Sequence, residues 1–338
     1  AIAAEGRDGW YGGEFGEGLV TVGGGEYDAA DLEQPLADWV PPLGLRVWGQ
    51  DVWTVPPNSQ GYLTLAGAGI AEDLPLPDDA DDPAWAHLLV EAARAAGHDR
   101  PAVLHEGADG GALLDPGRLA SRRAAVSPDR PAAWGDEAYA AGDTIHLAVV
   151  DGERMGVSLI QSNAAGWGCH VVVPGVRVFL HNRGIGFSLV PGHPAEYRRG
   201  RRPPSTLSPA LVTRPDGSLH TVLGTMGGDS QPQILLQLLA RLLLGGESPS
   251  RAVAAGRFVL SGAGGGFATW DDGGDVRVDV EGQAPSGWHE GLAARGHRVQ
   301  GFPAFDHHFG HAHVITVAGD HLAGATDPRP RTGLAAGY

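Results

Sequence analysis

Gly142-Asp143-Thr144-Ile145-His146 is the stretch on which the reading of this chain turns. An apolar strand, Leu147 to Val150, follows at once, and a second, Val157 to Ile160, returns after the Asp151-Gly152-Glu153 turn. A threonine at the head of a hairpin is placed to act as an N-terminal nucleophile. Its hydroxyl is weakly nucleophilic near neutral pH, and the nearest general base is its own α-amino group, which titrates around 7.7–8.0. That amine exists only once the Asp143–Thr144 bond is cut. The pentad therefore raises the possibility of a precursor that cleaves itself into residues 1–143 and 144–338. Taken alone, it is read more plainly as a β-branched residue opening a strand.

Composition narrows the class. With 338 residues and 42% hydrophobic content the chain can bury a substantial core, in one large or two modest domains. A formal charge of −16 argues against nucleic acid as a partner, since the phosphates would be repelled. All 24 basic residues are arginine, and the absence of lysine removes Schiff-base catalysis and a Walker-type phosphate lysine. One cysteine, Cys169, cannot form a disulfide within the chain. The most apolar run, Ile234 to Leu244, is too short to cross a membrane and is interrupted by Gln237 and Arg241, so it reads as a core helix. No membrane partner is expected, and the localisation expected is cytoplasmic.

The pattern along the chain is helical at first and strand-rich later. Residues 1–100 read as mainly helical, most clearly Ala84 to Ala96, where Leu88, Leu89, Ala92 and Ala95 recur at helical spacing. The acidic run at 78–82 reads as a solvated loop before it, with Asp82 or Pro83 at the helix start. Residues 101–143, rich in Gly, Pro, Asp and Arg, read as a surface connector. From Thr144 strands are predicted at Ile145–Val150, Val157–Gln161, Val171–Val173, Val176–Leu180, Ala210–Thr213 and Thr221–Gly224. A helix at 231–244 and strands at Val276–Val280 and His313–Val317 follow. The Gly-rich stretches at 262–266 and 273–274 read as turns.

The order of motifs from Thr144 onward resembles the γ-glutamyltransferase (γ-glutamyltranspeptidase) family of N-terminal-nucleophile hydrolases. The matching pieces are Asp143-Thr144-Ile145-His146, Ser158 to Asn163, Val172-Val173-Pro174-Gly175, Asn182 to Ser188, Arg202 to Pro209, and Gly227-Gly228. Upstream, Gly6 to Gly13 and Pro56 to Gly61 resemble the later part of the family's large subunit, and Gly324 to Arg329 with Gly333 resembles its closing segment. The resemblance implies an α+β fold, the four-layer αββα sandwich. Residues 1–143 would be the C-terminal part of the large subunit, shortened at its N-terminus and lacking an arginine that binds the substrate carboxylate; residues 144–338 would be the small subunit. The implied product is a heterodimer of the chain's own cleaved subunits, acting on a small-molecule γ-glutamyl-type amide with water or an amine as acceptor. No cofactor and no metal are implied.

The resemblance also assigns roles. Thr144 is the nucleophile, first on its own Asp143 peptide bond and then on substrate. Gly227 and Gly228 offer amides to the oxyanion, a placement suited to glycines ahead of a helix; read in isolation they are a plain turn and cap. Asn163, Ser205 and Thr206 contact the ends of the substrate's amino-acid moiety. His146 falls on the same strand face as Thr144 and either orients the hairpin or touches substrate. Gln161 occupies the place of a second threonine that hydrogen-bonds the nucleophile in many members. The chief departure lies at Asn182-Arg183-Gly184-Ile185-Gly186: Arg183 and Gly186 stand where an acidic side chain would pair with the substrate ammonium. That change points to hydrolysis of an acyl group without an α-amino function, such as a glutaryl-like one, or to C–C hydrolysis. The short Val190–Gly200 segment favours hydrolysis over transfer. An unprocessed binding subunit is the remaining alternative. His307, His308, His311 and His313 read as structural more than metal-binding, Cys169 as a small buried hydrophobe, and Trp10, Trp39, Trp48 and Trp53 as core aromatics.

Overall fold

A computed structural model describes residues 2–35, 37–133, 143–262, 269–270, 276–330 and 332–337, with Asp143 by its backbone alone. Most of the two Gly-rich stretches therefore lies outside the described residues. The strands, in chain order, are β1 (Leu43–Val47), β2 (Gln50–Thr54), β3 (Asp143–Val150), β4 (Gly156–Ala164), β5 (Val172–Val173), β6 (Val178–Phe179), β7 (Ala210–Thr213), β8 (Leu219–Thr225), β9 (Phe258–Ser261), β10 (Arg277–Val280), β11 (Val299–Gly301), β12 (Ala312–Ala318) and β13 (His321–Thr326). They divide between two compact units. The smaller comprises residues 1–41 and 163–183, and the larger residues 42–162 and 184–338. None of the three junctions coincides with the Asp143–Thr144 bond, because the expected subunit division concerns a peptide bond and not a packing unit.

In the smaller unit, helix Glu14–Val22 lies on β5. Gly18 makes the approach possible: a Cβ there would come within 2.4 Å of Val173. Trp10 stacks on Phe15 with centroids 4.5 Å apart. Two sequence expectations fail here. Cys169 is exposed, with its thiol donating to the Leu180 carbonyl at 3.3 Å, because the segment around it is turns with too few apolar neighbours to bury it. Trp39 is fully exposed, so it is no core residue.

The larger unit is layered. A six-stranded antiparallel sheet runs β1-β2-β7-β8-β12-β13. One face is covered by helices Tyr62–Ala71 and Gln231–Leu239, and helix Pro83–Gly97 packs on both of them from the outside. Helix Tyr62–Ala71 is buried along its whole length. The 83–97 helix starts as its sequence dictates: Asp82 Oδ1 accepts from the Ala84 N–H at 2.7 Å and Pro83 takes the first position, where a missing N–H costs nothing. Gln233 and Gln237 on the 231–239 helix bond the backbone of Leu260 and Phe258, tying it to β9. The expected helix at 231–244 is thus present, its last turn widened to a π-helix at Ala240–Leu244.

Against the other face of the six-stranded sheet lies the β3–β4 hairpin, touching β8 and β12. This is the α+β sandwich expected, with helices, a sheet and the nucleophile hairpin stacked in that order. The hairpin's polarity is inverted. Thr144, His146, Ser158 and Ser162 face inward, whereas Ile145, Leu147, Val149, Val157 and Leu159 face outward, each 45–67% exposed. Half-buried strands ordinarily put the apolar face inside.

Two further expectations need correction. The supposedly helical first hundred residues contain the β1–β2 hairpin, turned by Trp48 and Gly49 at φ 48° and 74°; such short strands leave little alternation to read. The connector at 101–143 carries three short helices, at Arg100–Val103, Gly110–Leu113 and Pro116–Ala125. Asp109 and Asp115 cap the second and third, accepting from the Gly111 and Arg118 N–H groups, so residues read as loop composition are N-caps.

Candidate active site

The inward face of the hairpin collects the chemistry. Thr144 Oγ1 donates to Ser162 Oγ at 3.0 Å. Gln161, the residue expected at the nucleophile, is exposed on the opposite face, because strand side chains alternate and the partner is one residue further on. Two residues beyond Thr144, His146 is buried, with Nε2 3.0 Å from Ser158 Oγ. The Ser158 hydroxyl proton is spent on the Leu223 carbonyl at 3.0 Å, so Ser158 accepts from His146 and the imidazole is the Nε2–H tautomer. Burial, with the neighbouring His313 second, pushes His146 down to about 3 and keeps it neutral. Its ring lies against Gly224, where a Cβ would come within 2.2 Å of Nε2. His146 therefore orients the hairpin on β8, one of the two roles open from sequence.

The same contacts fix the hairpin's direction over β8. Gly156 meets Val222 and Ser158 meets Leu223, so advancing along β4 advances along β8. Thr144 and Ser162 accordingly lie toward the β8 end from which Gly227-Gly228 departs. There Gly227 (φ 137°) and Gly228 (φ 57°) take left-handed conformations that side chains resist. Gly227 O accepts from Ser230 N at 3.0 Å and Ser230 Oγ at 2.7 Å. Because that carbonyl shares a planar peptide with the Gly228 N–H, the direction of this amide is set as well. Gln60 Nε2 donates to Gly228 O at 2.9 Å and to Thr206 O at 3.2 Å, joining the turn to the loop that carries the candidate substrate-binding hydroxyls. Asp229, fully buried, pairs with Arg100 at 3.2 Å and accepts from the Thr269 N–H.

Ser205 and Thr206 are strapped in place. Ser205 N donates to Asn58 O and Ser205 O accepts from Gln60 N, both at 2.8 Å; Ser208 N donates to Gln231 Oε1 at 3.0 Å. Asn163 and Arg183 belong to the smaller unit. There the Asn163 carbonyl accepts from Asn182 N at 3.0 Å, and Arg183 N donates to His181 Nδ1 at 3.1 Å. Gly186, in the larger unit, is pressed against the 203–204 turn: a Cβ would come within 2.4 Å of Pro204 O. The glycine is thus a packing requirement. Ser162, Ser158 and Gln60 were not singled out from sequence; Ser158 and Ser162 are four residues apart on β4 and so share one face, the one opposite Gln161.

The histidines of the last segment separate. His307 Nδ1 is 2.7 Å from His311 Nε2, His308 Nε2 is 2.8 Å from Asp279, and His313 tilts against His146 at 5.8 Å. Among the described residues no group of three or more His, Cys, Asp or Glu could hold a metal ion.

The model of the family described as gamma-glutamyltranspeptidase matches residues 1–337. The chain belongs to that family. As a gamma-glutamyltranspeptidase-family chain it is 33% identical to the oxamate amidohydrolase proenzyme of Klebsiella pneumoniae, over 100% of its own length and 63% of the relative's. It is 29% identical to the glutathione hydrolase-like YwrD proenzyme of Bacillus subtilis, over 97% and 62%. Among solved structures it superposes on cephalosporin acylase from Bacillus halodurans with a TM-score of 0.82 and 28% identity, covering 97% of this chain and 59% of that one. The chain thus spans less than two thirds of these relatives.

Proposed function

We propose that this protein is the nucleophile-bearing part of a self-processing amidohydrolase that cleaves small acyl amides. The observation that carries the reading is the inward cluster of Thr144, Ser162, His146 and Ser158, set toward the fixed Gly227-Gly228 turn. Thr144 Oγ attacks the preceding carbonyl, the acyl group shifts from nitrogen to oxygen, and water cleaves the resulting ester to free the Thr144 amine. In turnover that amine takes the hydroxyl proton as Oγ attacks the substrate carbonyl. The oxyanion is met by the glycine amides, the C–N bond breaks, and the protonated amine leaves. Water, activated by the same amine, then hydrolyses the ester. A Val190–Gly200 segment that is exposed at most of its positions supports water as acceptor.

For the acyl group we favour a carboxylate-bearing one without an α-ammonium. Gly186 has no room for an acid, and an ammonium left without its charged partner loses a few kcal/mol. The name of the Klebsiella relative agrees with a small acid amide. The test is intact mass of the denatured wild type and Thr144→Ala, followed by hydrolysis of oxamate, glutaryl anilide and γ-glutamyl anilide. Two fragments, the smaller beginning at Thr144 and absent from the variant, are expected, with γ-glutamyl anilide the poorest substrate. An uncut wild-type chain removes the nucleophile; a clear γ-glutamyl preference overturns the acyl assignment in favour of glutathione-like amides.

A further inference from the structure

A cleft of about 480 Å³ lies apart from the Thr144 cluster, between the 105–107 turn and the 187–202 segment of the larger unit. In a chain with net charge −16 its lining is rich in donors: Arg198, Arg201, Arg202, His105 and His193 surround it, with Glu106 the one carboxylate among the lining residues. The two imidazoles are prepared alike. His105 Nδ1 accepts from the Gly107 N–H at 3.2 Å and His193 Nδ1 from the Ala195 N–H at 3.1 Å. A ring nitrogen that accepts carries no proton, so each imidazole presents Nε2–H as a donor. Arg202 is committed to Glu106, through its guanidinium at 3.5 Å and its backbone N–H at 3.0 Å. Arg198 pairs with Glu196. Arg201 Nη1 donates to a neutral group, the Pro194 carbonyl at 3.1 Å, and the carboxylate near enough to feel its charge, Glu196, is already hydrogen-bonded to Arg198. Phe187, edge-on to Tyr197 at 5.3 Å, supplies an apolar wall.

We infer that this cleft is a binding site for a small oxyanion, a carboxylate or phosphate compound of a few heavy atoms, gripped by the Arg201 fork and the His105 and His193 Nε2–H groups. The pattern fits because a planar guanidinium pairs two oxygens at once, neutral imidazoles add directed donors, and three guanidiniums against the carboxylates of Glu106 and Glu196 favour an anion over a cation. The site also touches the substrate strap: Arg202 stands three residues before Ser205. The inference does not rest on the proposed amide hydrolysis, and its test is read on a protein that cannot turn over.

Isothermal titration of Thr144→Ala with oxamate, glutarate and inorganic phosphate separates the sources by which anion binds most tightly. Saturable one-site binding is expected, weakening as NaCl is raised. Arg201→Ala should weaken it about tenfold or more and His193→Phe measurably, while Arg201→Lys, which keeps charge but not the fork, falls between. Melting curves for each variant check that the fold is intact. Absence of saturable binding for all three anions, or binding indifferent to both Arg201→Ala and His193→Phe in folded protein, overturns the assignment.

Discussion

Ser162 steers Thr144. The Ser162 hydroxyl receives its Oγ1 hydrogen bond, and a neutral hydrogen bond of this kind contributes about 0.5–1.5 kcal/mol. Ser162→Ala should therefore slow processing, and turnover if processing completes, by up to about tenfold, read as the rate of appearance of the Thr144 fragment; Gln161→Ala should leave it unchanged. Gly224 is the second sensitive position. An added methyl would meet the His146 ring, which is itself held by Ser158, so Gly224→Ala should cost about 1–3 kcal/mol of stability by overpacking, measured by urea denaturation. Ser162 sits between Gln161 and Asn163, which the sequence had picked out, whereas Gly224 was read only as the end of a strand. The nucleophile and the glycine turn were legible because they occur in a fixed order; the serines were passed over because a one-residue step on a strand moves a side chain to the opposite face.

Among the elements, the pH response belongs to buried histidines at two junctions. His146, on β3, and His297, which leads into β11 and lies 2.8 Å from His87 of the 83–97 helix, are each pushed down to about 3, mainly by burial. Their folded forms are neutral, whereas in the unfolded chain they titrate near 6.5. Protons thus bind the unfolded state preferentially below that value. Stability from these sites is fully present above pH about 6.5 and is lost progressively as pH falls toward 3. Denaturation midpoints should decline across that window, and less steeply in His297→Gln. The longer elements were readable from pattern: the 83–97 helix, β7 and the nucleophile hairpin agree with their sequence expectations within one to three residues. The β1–β2 hairpin was not, since five-residue strands around a tight turn carry no helical or strand period long enough to separate them.

For the whole molecule, two features set behaviour. Asp327 and Arg329, in the closing segment, are buried with Arg257 and Glu281. Arg257 pairs with Asp327 at 2.7 Å, Arg329 pairs with Asp327 at 2.9 Å and with Glu281, and Arg329 also donates to the Val253 and Ala255 carbonyls. Two cations and two anions in one dry cluster leave no charge uncancelled, but removing one member strands the others. Arg329→Ala should cost about 3–5 kcal/mol, measured by chemical denaturation. The outward face of the hairpin is the second feature. Its five exposed apolar side chains form the kind of patch that associates in water, so the chain should bind a hydrophobic dye and sediment as a concentration-dependent mixture, with Leu147→Ser and Leu159→Ser together reducing both. The composition of 144–160 revealed the strands and their alternation, but which face turns inward was set by the contacts of Ser158 and Gly156 with β8, which have no local signature.

The contact between Gly186 and Pro204 has a consequence for descent. An acid at position 186 cannot appear by a single substitution without moving the 203–204 turn, which in turn holds Asn58 through the Pro203 carbonyl. Gly186→Asp alone should therefore be lost to selection before any gain in ammonium recognition could be tested. Ammonium recognition at this position would thus depend on the order in which mutations arrive, and a laboratory lineage selected for it would have to loosen the Pro203-Pro204 turn first.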